Sequence, residues 1–297
     1  MNKVGIIGLG RAGRVLAYLL TERGYQVSTV LAKPSKQETI SLNGHLVKIS
    51  SLAQLVQEAE ILFITTPDEL IHHMAQQSAE LEPNSIRAAL HLSGSLAART
   101  LQPLKEKGIL IGSLHPLQSL AQLEQALINL PGSTFTFEGD AELLPWVTSF
   151  VQSLGCQLAV ATAALDRKLY HAGASVVSNF LVTLVQAGAE CLTKAGFPPA
   201  KAQQALVPLV QGTLNNLKQL PSAKALTGPI ARGDAMTIEN HLGGLTKLPE
   251  LLPAYLALAK LTATLAMEAG TLERIAYYKI IKILEGGGLE NGKTDDQ

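Results

Sequence analysis

Hydrophobic residues change their spacing about halfway along the 297-residue chain. In the first half, short apolar runs alternate with stretches of three- and four-residue spacing, which predicts strands separated by helices. The predicted strands span residues 4–7, 26–31, 60–65, 88–92, 109–113 and 134–137. After about residue 161 only the helical spacing remains, and the predicted helices span 163–195, 200–217, 248–269 and 272–284. We therefore predict an α/β domain with a doubly wound parallel sheet (1–160), an all-α domain (161–285) and a disordered tail (286–297).

A glycine-rich segment follows the first predicted strand directly. It has the GxGxxG spacing, and the ten residues after it predict a helix. A strand, a glycine turn and a helix in this order form a dinucleotide site, because the glycines allow a tight turn and a close approach to the pyrophosphate. The phosphate charge then lies on free N–H groups at the helix start. The predicted cofactor contacts are Gly8, Leu9, Gly10, Arg11, Ala12 and Gly13.

The end of the second predicted strand indicates which nicotinamide cofactor is preferred. NAD-binding proteins usually carry an acidic residue there, about 20 residues after the glycines, for the ribose 2′-hydroxyl. Here residues 30–36 contain no carboxylate but include Lys33, Ser35 and Lys36, which can bind a 2′-phosphate. If one lysine were considered alone, a solvent-exposed basic loop would be the alternative to a 2′-phosphate site. The segment as a whole predicts NADP(H).

The amino-acid composition indicates which classes of binding partner and which cellular compartment are expected. Lys plus Arg and Asp plus Glu both number 24, so no net charge points to nucleic acid or to a membrane surface. Aromatic residues make up 4%, too few for base-stacking platforms. Cys156 and Cys191 predict neither a disulfide framework nor a metal site, and a reducing cytoplasm is expected. The apolar stretch 172–189 contains several polar residues and is expected to be a buried helix rather than a membrane span.

Three segments with small polar residues follow predicted strands. Ligands of an open α/β sheet bind beyond the carboxyl ends of its strands. Thr66 and Pro67, and Ser93 and Gly94, are therefore predicted to line the cofactor. His115 follows the fifth predicted strand and is predicted to face cofactor or substrate; for His91 the favoured interpretation is a satisfied core histidine.

A polar helix face is the first candidate site of the second half. Lys168, His171, Ser175 and Asn179 recur at three- and four-residue spacing, which places them on one side of a helix. The alternative is that Ser175 and Asn179 only link helices and that Lys168 is a surface charge.

A loop rich in glycine and proline, residues 226–234, interrupts the helical pattern. Thr227, Arg232 and Asp234 suit an anionic substrate, with Arg232 able to grip a carboxylate through two hydrogen bonds. An Arg232–Asp234 surface pair that caps the following helix is the alternative. His241 lies a short distance further along the chain.

These motifs resemble a family of oxidoreductases that joins a Rossmann-like domain to a C-terminal domain of unknown function, DUF2520. The segments that carry the resemblance are Gly8–Gly13, Thr66–Asp68, His91–Gly94, Gly112–Gln118, Tyr170–His171 with Ser178–Asn179, and Leu226–Asp234 with His241. The family is similar to ketopantoate reductase and pyrroline-5-carboxylate reductase. The resemblance implies an NADPH-dependent, ketopantoate reductase-like homodimer that reduces a small carboxylate-bearing carbonyl compound. Reduction of an imine and non-catalytic sensing of NADP(H) remain alternatives.

One position departs from the pattern of these relatives. They often carry a catalytic lysine four residues before the helical asparagine, whereas this chain has Ser175 four residues before Asn179. The resemblance therefore implies that the proton comes from His171, Lys168 or His241, or from His115 on the sheet side.

Overall fold

The computed structural model describes residues 2–30, 37–42, 44–162 and 164–286. The chain forms two compact units that divide between Ser178 and Asn179. The first unit is built on a nine-stranded sheet, and the second consists of helices. The predicted change of domain near residue 160 coincides with the end of the last strand, but the first helix after it still belongs to the sheet unit. Nearly all of the predicted tail, 287–297, lies outside the described residues.

The sheet is mixed and mainly parallel. Its strands are β1 (Lys3–Ile7), β2 (Gln26–Val30), β3 (Thr39–Leu42), β4 (His45–Ile49), β5 (Ile61–Ile64), β6 (Ala88–His91), β7 (Leu110–Pro116), β8 (Thr134–Gly139) and β9 (Gln157–Val160). Their order is β3-β4-β2-β1-β5-β6-β7-β8-β9. Among the strands of the described residues, β3–β4 and β7–β8 pair antiparallel and the other neighbours pair parallel. The predicted α/β class with a mainly parallel sheet is confirmed, and the two antiparallel pairs, where the chain reverses, make the sheet mixed.

Helices cover the sheet between its strands. They are α1 (Arg11–Glu22), α2 (Leu52–Glu58), α3 (Asp68–Glu80), α4 (Gln102–Lys105), α5 (Leu123–Asn129), α6 (Leu144–Ser153) and α7 (Arg167–Val177). The predicted helix over 96–107 is instead a 3-10 turn, Ala98–Leu101, followed by the single turn of α4.

The sheet has a hydrophobic core on each face. Alternation along β5 sends Ile61 and Phe63 to one core and Leu62 and Ile64 to the other. Trp146 packs against the first core. Its ring stacks on Phe150 with centroids 5.4 Å apart, and its Nε1 donates to the hydroxyl of Tyr25 at 3.1 Å.

The second unit contains six helices within its described residues. They are α8 (Asn179–Lys194), α9 (Pro199–Gln219), α10 (Ser222–Ala225), α11 (Ala235–Leu245), α12 (Leu252–Glu268) and α13 (Arg274–Gly286). The single helix predicted over 163–195 is therefore two helices, because α7 ends at Val177 and α8 begins at Asn179. The hydrophobic pattern also did not predict α11, whose buried residues include Ala235 and Ile238.

The apolar stretch that starts in α7 is not buried as predicted. Val177, Phe180 and Val182 are all exposed in the single chain. Taken together, α7 and α8 (Arg167–Lys194) are long and apolar enough to cross a membrane. One such segment is weak evidence of a membrane span, because core helices of soluble proteins have the same length and composition. These exposed side chains need a partner or an apolar environment to be covered.

Candidate functional site

The glycine turn follows β1 as predicted and depends on the absence of side chains. Gly8 has a φ of +97°, which favours glycine, and a Cβ there would lie 3.1 Å from the backbone nitrogen of Thr66. A Cβ on Gly13 would lie 2.2 Å from the carbonyl oxygen of Gly8, so only glycine lets α1 pack this closely. At Gly10 a Cβ would meet nothing within 4 Å, which leaves open space beside the turn.

The start of α1 offers unpaired donors next to that space. Gly10 is the N-cap and supplies no side-chain cap, so the first N–H groups of the helix are available to an anion. A cleft of about 500 Å³ opens here and is lined by Gly10, Arg11, Arg14 and Ser41, among others. The Nε of Arg14 donates to the carbonyl of Leu9 at 3.4 Å. Sequence reasoning missed Arg14, although its position one turn after Arg11 was the available signal.

The residues predicted to bind the 2′-phosphate follow β2 in the sequence. Lys33, Ser35 and Lys36 lie outside the described residues. Their role in the choice of NADP(H) stays a prediction.

The loops after β5 and β6 are tied together by one carboxylate. Oδ2 of Asp68 accepts a hydrogen bond from Ser93 Oγ at 2.8 Å and another from Ser95 Oγ. Ser93 Oγ also accepts from the backbone N–H groups of Ser95 and Leu96, each at 3.2 Å. The Ser93 hydroxyl, predicted to line the cofactor, is thus engaged in shaping the loop.

Thr65 and Thr66 follow β5 and differ in their partners. Thr65 Oγ1 donates to the carbonyl of Gly8 at 2.5 Å and so connects this strand end to the glycine turn. Thr66 Oγ1 is buried and has no hydrogen-bond partner within the described part of the chain. A buried hydroxyl without a partner is costly, and a ligand can supply one. Pro67, the next residue, is the N-cap of α3.

His91 is a core histidine, as its sequence position favours. It is 0% exposed; its Nε2 lies 3.1 Å from the carbonyl oxygen of Ala97, and its Nδ1 accepts from the backbone N–H of Ser93 at 3.2 Å. These partners fix a neutral ring with its proton on Nε2. Burial lowers the pKa of His91 to about 4.

His115 forms the centre of a hydrogen-bonded chain at the end of β7. Its Nδ1 lies 2.8 Å from the hydroxyl of Tyr170, which donates in turn to Thr136 Oγ1 at 2.9 Å. Because the Tyr170 proton is used on Thr136, Nδ1 is the donor to Tyr170, and Nε2 of the neutral ring is left as an acceptor. A Cβ on Gly94 would lie 2.8 Å from this Nε2, so the glycine leaves room for the imidazole. Burial, helped by the charges of His171 and Arg167, lowers the pKa of His115 to about 4.

Two cross-strand pairs of β7 and β8 present a polar patch to α7. His115 lies opposite Thr136, and Ser113 lies opposite Glu138. Opposite residues of a ladder share a face of the sheet. Tyr170 of α7 contacts the first pair and Arg167, one turn earlier, contacts Glu138.

The contact of Arg167 with Glu138 is an ion pair at the start of α7. Nε and Nη2 of Arg167 lie 2.7 and 2.6 Å from Oε2 of Glu138, while Oε1 accepts from the backbone N–H of Ala98 at 3.2 Å. Nη1 of Arg167 is buried and finds no acceptor among the described residues. Sequence reasoning missed this pair and also missed Tyr170 as a site residue. Polar residues alternate with phenylalanine along β8, and this pattern could have predicted that one face of the strand is polar.

The helix face predicted from sequence is only partly assembled. His171 is exposed, and its ring centroid lies 6.2 Å from that of His115. Lys168 is exposed and Ser175 is half-buried, both on α7. Asn179 begins α8 and belongs to the second compact unit, so one continuous helix does not carry all four residues as predicted.

The predicted substrate loop precedes α11 in the second unit. Asp234 is the N-cap of α11: its carboxylate accepts from the backbone N–H and the hydroxyl of Thr237 at 3.1 and 2.7 Å. These bonds lower the pKa of Asp234 and give it the capping role of the alternative interpretation. Thr227 and Arg232 are exposed. His241 Nδ1 lies 2.9 Å from the hydroxyl of Tyr255.

Family models match most of the chain. Residues 1–116 match a Rossmann-like domain, and residues 133–262 match the domain of unknown function DUF2520. The two models confirm the resemblance to the family that joins a Rossmann-like domain to DUF2520, whereas the similarity to ketopantoate reductase stays a prediction.

Solved structures of the same fold cover nearly the whole chain. A Thermotoga maritima protein is 24% identical, with a TM-score of 0.66 over 89% of this chain and 98% of that one. A Bacteroides fragilis protein assigned as an NADP oxidoreductase is 22% identical, with a TM-score of 0.68 over the same shares. Plasmodium falciparum pyrroline carboxylate reductase, solved with NADP bound, is 12% identical, with a TM-score of 0.58 over 94% and 98%.

Proposed function

Because the chain joins a Rossmann-like domain to a DUF2520 domain, we propose that it is an NADP(H)-dependent oxidoreductase that reduces a small carboxylate-bearing carbonyl compound. A 2-oxo acid such as 2-dehydropantoate is the substrate class we favour. The observation that carries the proposal is the position of the His115–Tyr170 pair on the sheet that bears the glycine turn. His115 and the turn lie at carboxyl ends of strands that run parallel in the order β1-β5-β6-β7.

The residues present fit a dinucleotide. The bare turn at Gly8 and Gly13 leaves the backbone accessible, and the uncapped start of α1 supplies donors for a pyrophosphate. Arg11 and Arg14 beside the cleft add positive charge for phosphate oxygens. Thr66 Oγ1 is available to donate a hydrogen bond to the bound cofactor. When bound, the reduced nicotinamide supplies the hydride.

Two histidines have complementary roles in this proposal. The free Nε2 of His115 accepts a hydrogen bond and orients the substrate, since its low pKa keeps the ring neutral at pH 7. His171 is exposed and its ring centroid lies 6.2 Å from that of His115, so we assign it the delivery of a proton to the oxygen that becomes the hydroxyl. General acid catalysis of this kind contributes roughly 10² to 10⁴ in rate.

The remaining predicted residues keep more limited roles. Arg232, exposed in the loop before α11, is the candidate for holding a substrate carboxylate. Asp234 is needed for the cap of α11, and we no longer assign it to substrate. The other residues predicted on the substrate side stay candidates, and they are Lys168, Ser175, Asn179, Thr227 and His241.

Reduction of a C=N bond is the second candidate function. The Plasmodium falciparum protein of the same fold is a pyrroline carboxylate reductase with NADP bound. A pyrroline carboxylate combines an imine with a carboxylate, so the same anion-binding and proton-donating groups would serve it. This likeness makes an imine a substrate to be tested with equal weight.

The chain is further proposed to act as a cytoplasmic homodimer. The exposed apolar residues of α8 and α9, among them Phe180, Val182 and Leu209, suit a second copy as their cover. The sequence has two cysteines, too few for a disulfide framework, and this composition favours a reducing compartment.

Consumption of NADPH by the purified protein tests the function. 2-Dehydropantoate, simple 2-oxo acids and pyrroline-5-carboxylate are compared at equal concentration, with NADPH binding measured separately by calorimetry. Turnover of an oxo acid supports the main proposal, and turnover of the pyrroline alone replaces it with the second. NADPH binding without any turnover would favour a sensor, and failure to bind NADPH would refute all three.

A further inference from the structure

The helical unit contains a cavity of its own. It has a volume of about 350 Å³ and lies between the end of α8, the end of α11 and the start of α12. Its walls come entirely from the second compact unit. A cavity of this size suits a small organic molecule.

The floor of this cavity is apolar. Leu245 and Leu248 are buried and Leu251 is half-buried, and all three line it. Apolar walls favour a ligand with an aliphatic or aromatic body, because each Å² of apolar surface removed from water contributes roughly 25 cal/mol.

The polar groups of the cavity are cationic or neutral. Lys194 and Lys247 line it, and no Asp or Glu is among the described residues that line it. Neither lysine has an ion-pair partner within the described residues. Glu190, the acidic residue next to Cys191 in sequence, instead accepts from Gln186 Nε2 at 2.9 Å. The two ammonium groups are therefore available to an anion.

A histidine–tyrosine pair in the wall adds a further polar group. Nδ1 of His241 lies 2.9 Å from the hydroxyl of Tyr255, and both residues line the cavity. Burial raises the pKa of Tyr255, so its hydroxyl stays protonated and can donate to Nδ1. In the tautomer in which Tyr255 donates to Nδ1, the other ring nitrogen of His241 carries the hydrogen and is an additional donor for an anion.

We propose that this cavity binds a small carboxylate with an apolar body, such as a medium-chain fatty acid, with the body on the leucine floor and the carboxylate between Lys194 and Lys247. The site needs neither the glycine turn nor a nucleotide. It shares His241 with the candidates of the proposed reductase, but the carboxylate contacts proposed here, Lys194 and Lys247, are not among those candidates. The proposal rests on the combination of an apolar floor with two lysines that have no ion-pair partner among the described residues, and with no carboxylate among the described residues that line the cavity.

Cys191 gives the cavity a reporter within the natural sequence. It lines the cavity and is partly exposed, whereas Cys156, the other cysteine, is buried. A ligand in the cavity should therefore slow alkylation of Cys191 by iodoacetamide. Peptide mass spectrometry measures this rate in the full chain, without NADPH or substrate.

Octanoate is the probe, with acetate as the short control and octyltrimethylammonium as the control of opposite charge. We expect saturable protection of Cys191 by octanoate and none by the controls. Lys194→Gln and Lys247→Gln should each raise the half-protecting concentration about tenfold, the effect of losing one charge-assisted hydrogen bond. Lys218→Gln, which changes an exposed lysine on α9 that does not line the cavity, should leave it unchanged.

Three results would overturn the proposal. Equal protection by octyltrimethylammonium would mean that the cavity is apolar without preference for an anion. Protection that is absent, or that both lysine variants leave unchanged, would remove the carboxylate site. Since no turnover is measured, none of these results depends on the proposed reductase activity.

Discussion

The guanidinium of Arg167 depends on one carboxylate, that of Glu138, for charge compensation within the described part of the chain. The side chain of Arg167 is 7% exposed and that of Glu138 is 28% exposed. The pair connects the first turn of α7 to β8, on the same face of the strand as Thr136, which Tyr170 contacts. The Arg167–Glu138 ion pair therefore helps to hold Tyr170 towards His115, although neither Arg167 nor Glu138 takes part in the His115–Tyr170–Thr136 hydrogen bonds.

Replacement of Glu138 by Gln should destabilise the sheet unit. The change leaves the buried guanidinium of Arg167 without a counter-charge, and breaking such a pair costs about 3 kcal/mol, the lower end of the usual range because Glu138 is partly exposed. Urea denaturation measures the loss. Glu142→Gln, at an exposed acidic position in the same unit, is the control and should change stability little. Equal stability of the two variants would contradict the structural importance of the pair.

Stability should fall as the pH drops from about 6.5 to about 4. His91 is neutral in the folded protein, where its pKa is about 4, against 6.5 for an ordinary histidine. Between these values the unfolded chain binds the extra proton, so the folded state is disfavoured progressively below 6.5, by about 3 kcal/mol at pH 4. Urea titrations at several pH values test this. The dependence of the free energy of unfolding on pH should be weaker in His91→Asn. The dependence that remains is assigned to His115, whose pKa is also lowered to about 4. An unchanged slope in that variant would assign the dependence to other groups.

Replacement of Tyr170 by Phe should impair His115 without unfolding the protein. The variant leaves the Nδ1 proton of His115 without its acceptor and frees the ring to change its tautomer. We expect kcat of the proposed reductase to fall about tenfold or more, with little change in NADPH affinity. Steady-state kinetics and calorimetry separate the two effects. Tyr277→Phe, in α13, is the control, and a Tyr170→Phe enzyme of full activity would remove His115 and Tyr170 from the mechanism.

Replacement of Gly13 by Ala should abolish cofactor binding. The added Cβ would lie 2.2 Å from the carbonyl oxygen of Gly8, so the turn must move. Gly212→Ala is the matched control, because a Cβ there meets nothing within 4 Å and helix α9 should gain up to about 1 kcal/mol. Calorimetric titration with NADPH distinguishes them. Unchanged affinity in Gly13→Ala would place the cofactor elsewhere.

The sequence predicted the placement of those parts of the candidate site that depend on local rules. The glycine turn follows from three glycines at fixed spacing after a strand, and His115 follows from its place at a strand end. The ion pair of Arg167 with Glu138 depends on the antiparallel register of β7 and β8 and on where α7 packs, which no local pattern specifies. The break between α7 and α8 was missed for a similar reason, because the apolar spacing continues through Ser178.

Introduction of a charge on the apolar face of α8 tests the proposed homodimer. Val182 is 72% exposed in the single chain, and Val182→Glu would place a carboxylate within an interface formed by that face. We expect dimers of the natural protein and monomers of the variant, measured by light scattering coupled to size-exclusion chromatography. Gln152→Glu, at an exposed polar position of α6, is the control and should stay dimeric. A natural protein that is itself monomeric would refute the homodimer.

Unfolding of the two units can be followed by different spectroscopic signals, because Trp146 lies in the sheet unit. It is the only tryptophan of the chain, and it packs in the sheet unit against Phe150 and Tyr25. Intrinsic tryptophan fluorescence therefore reports unfolding of the sheet unit alone, whereas circular dichroism at 222 nm is dominated by helices and follows the second unit as well. If the two transitions coincide, the units unfold together as one cooperative system; if they separate, each unit has its own free energy of unfolding.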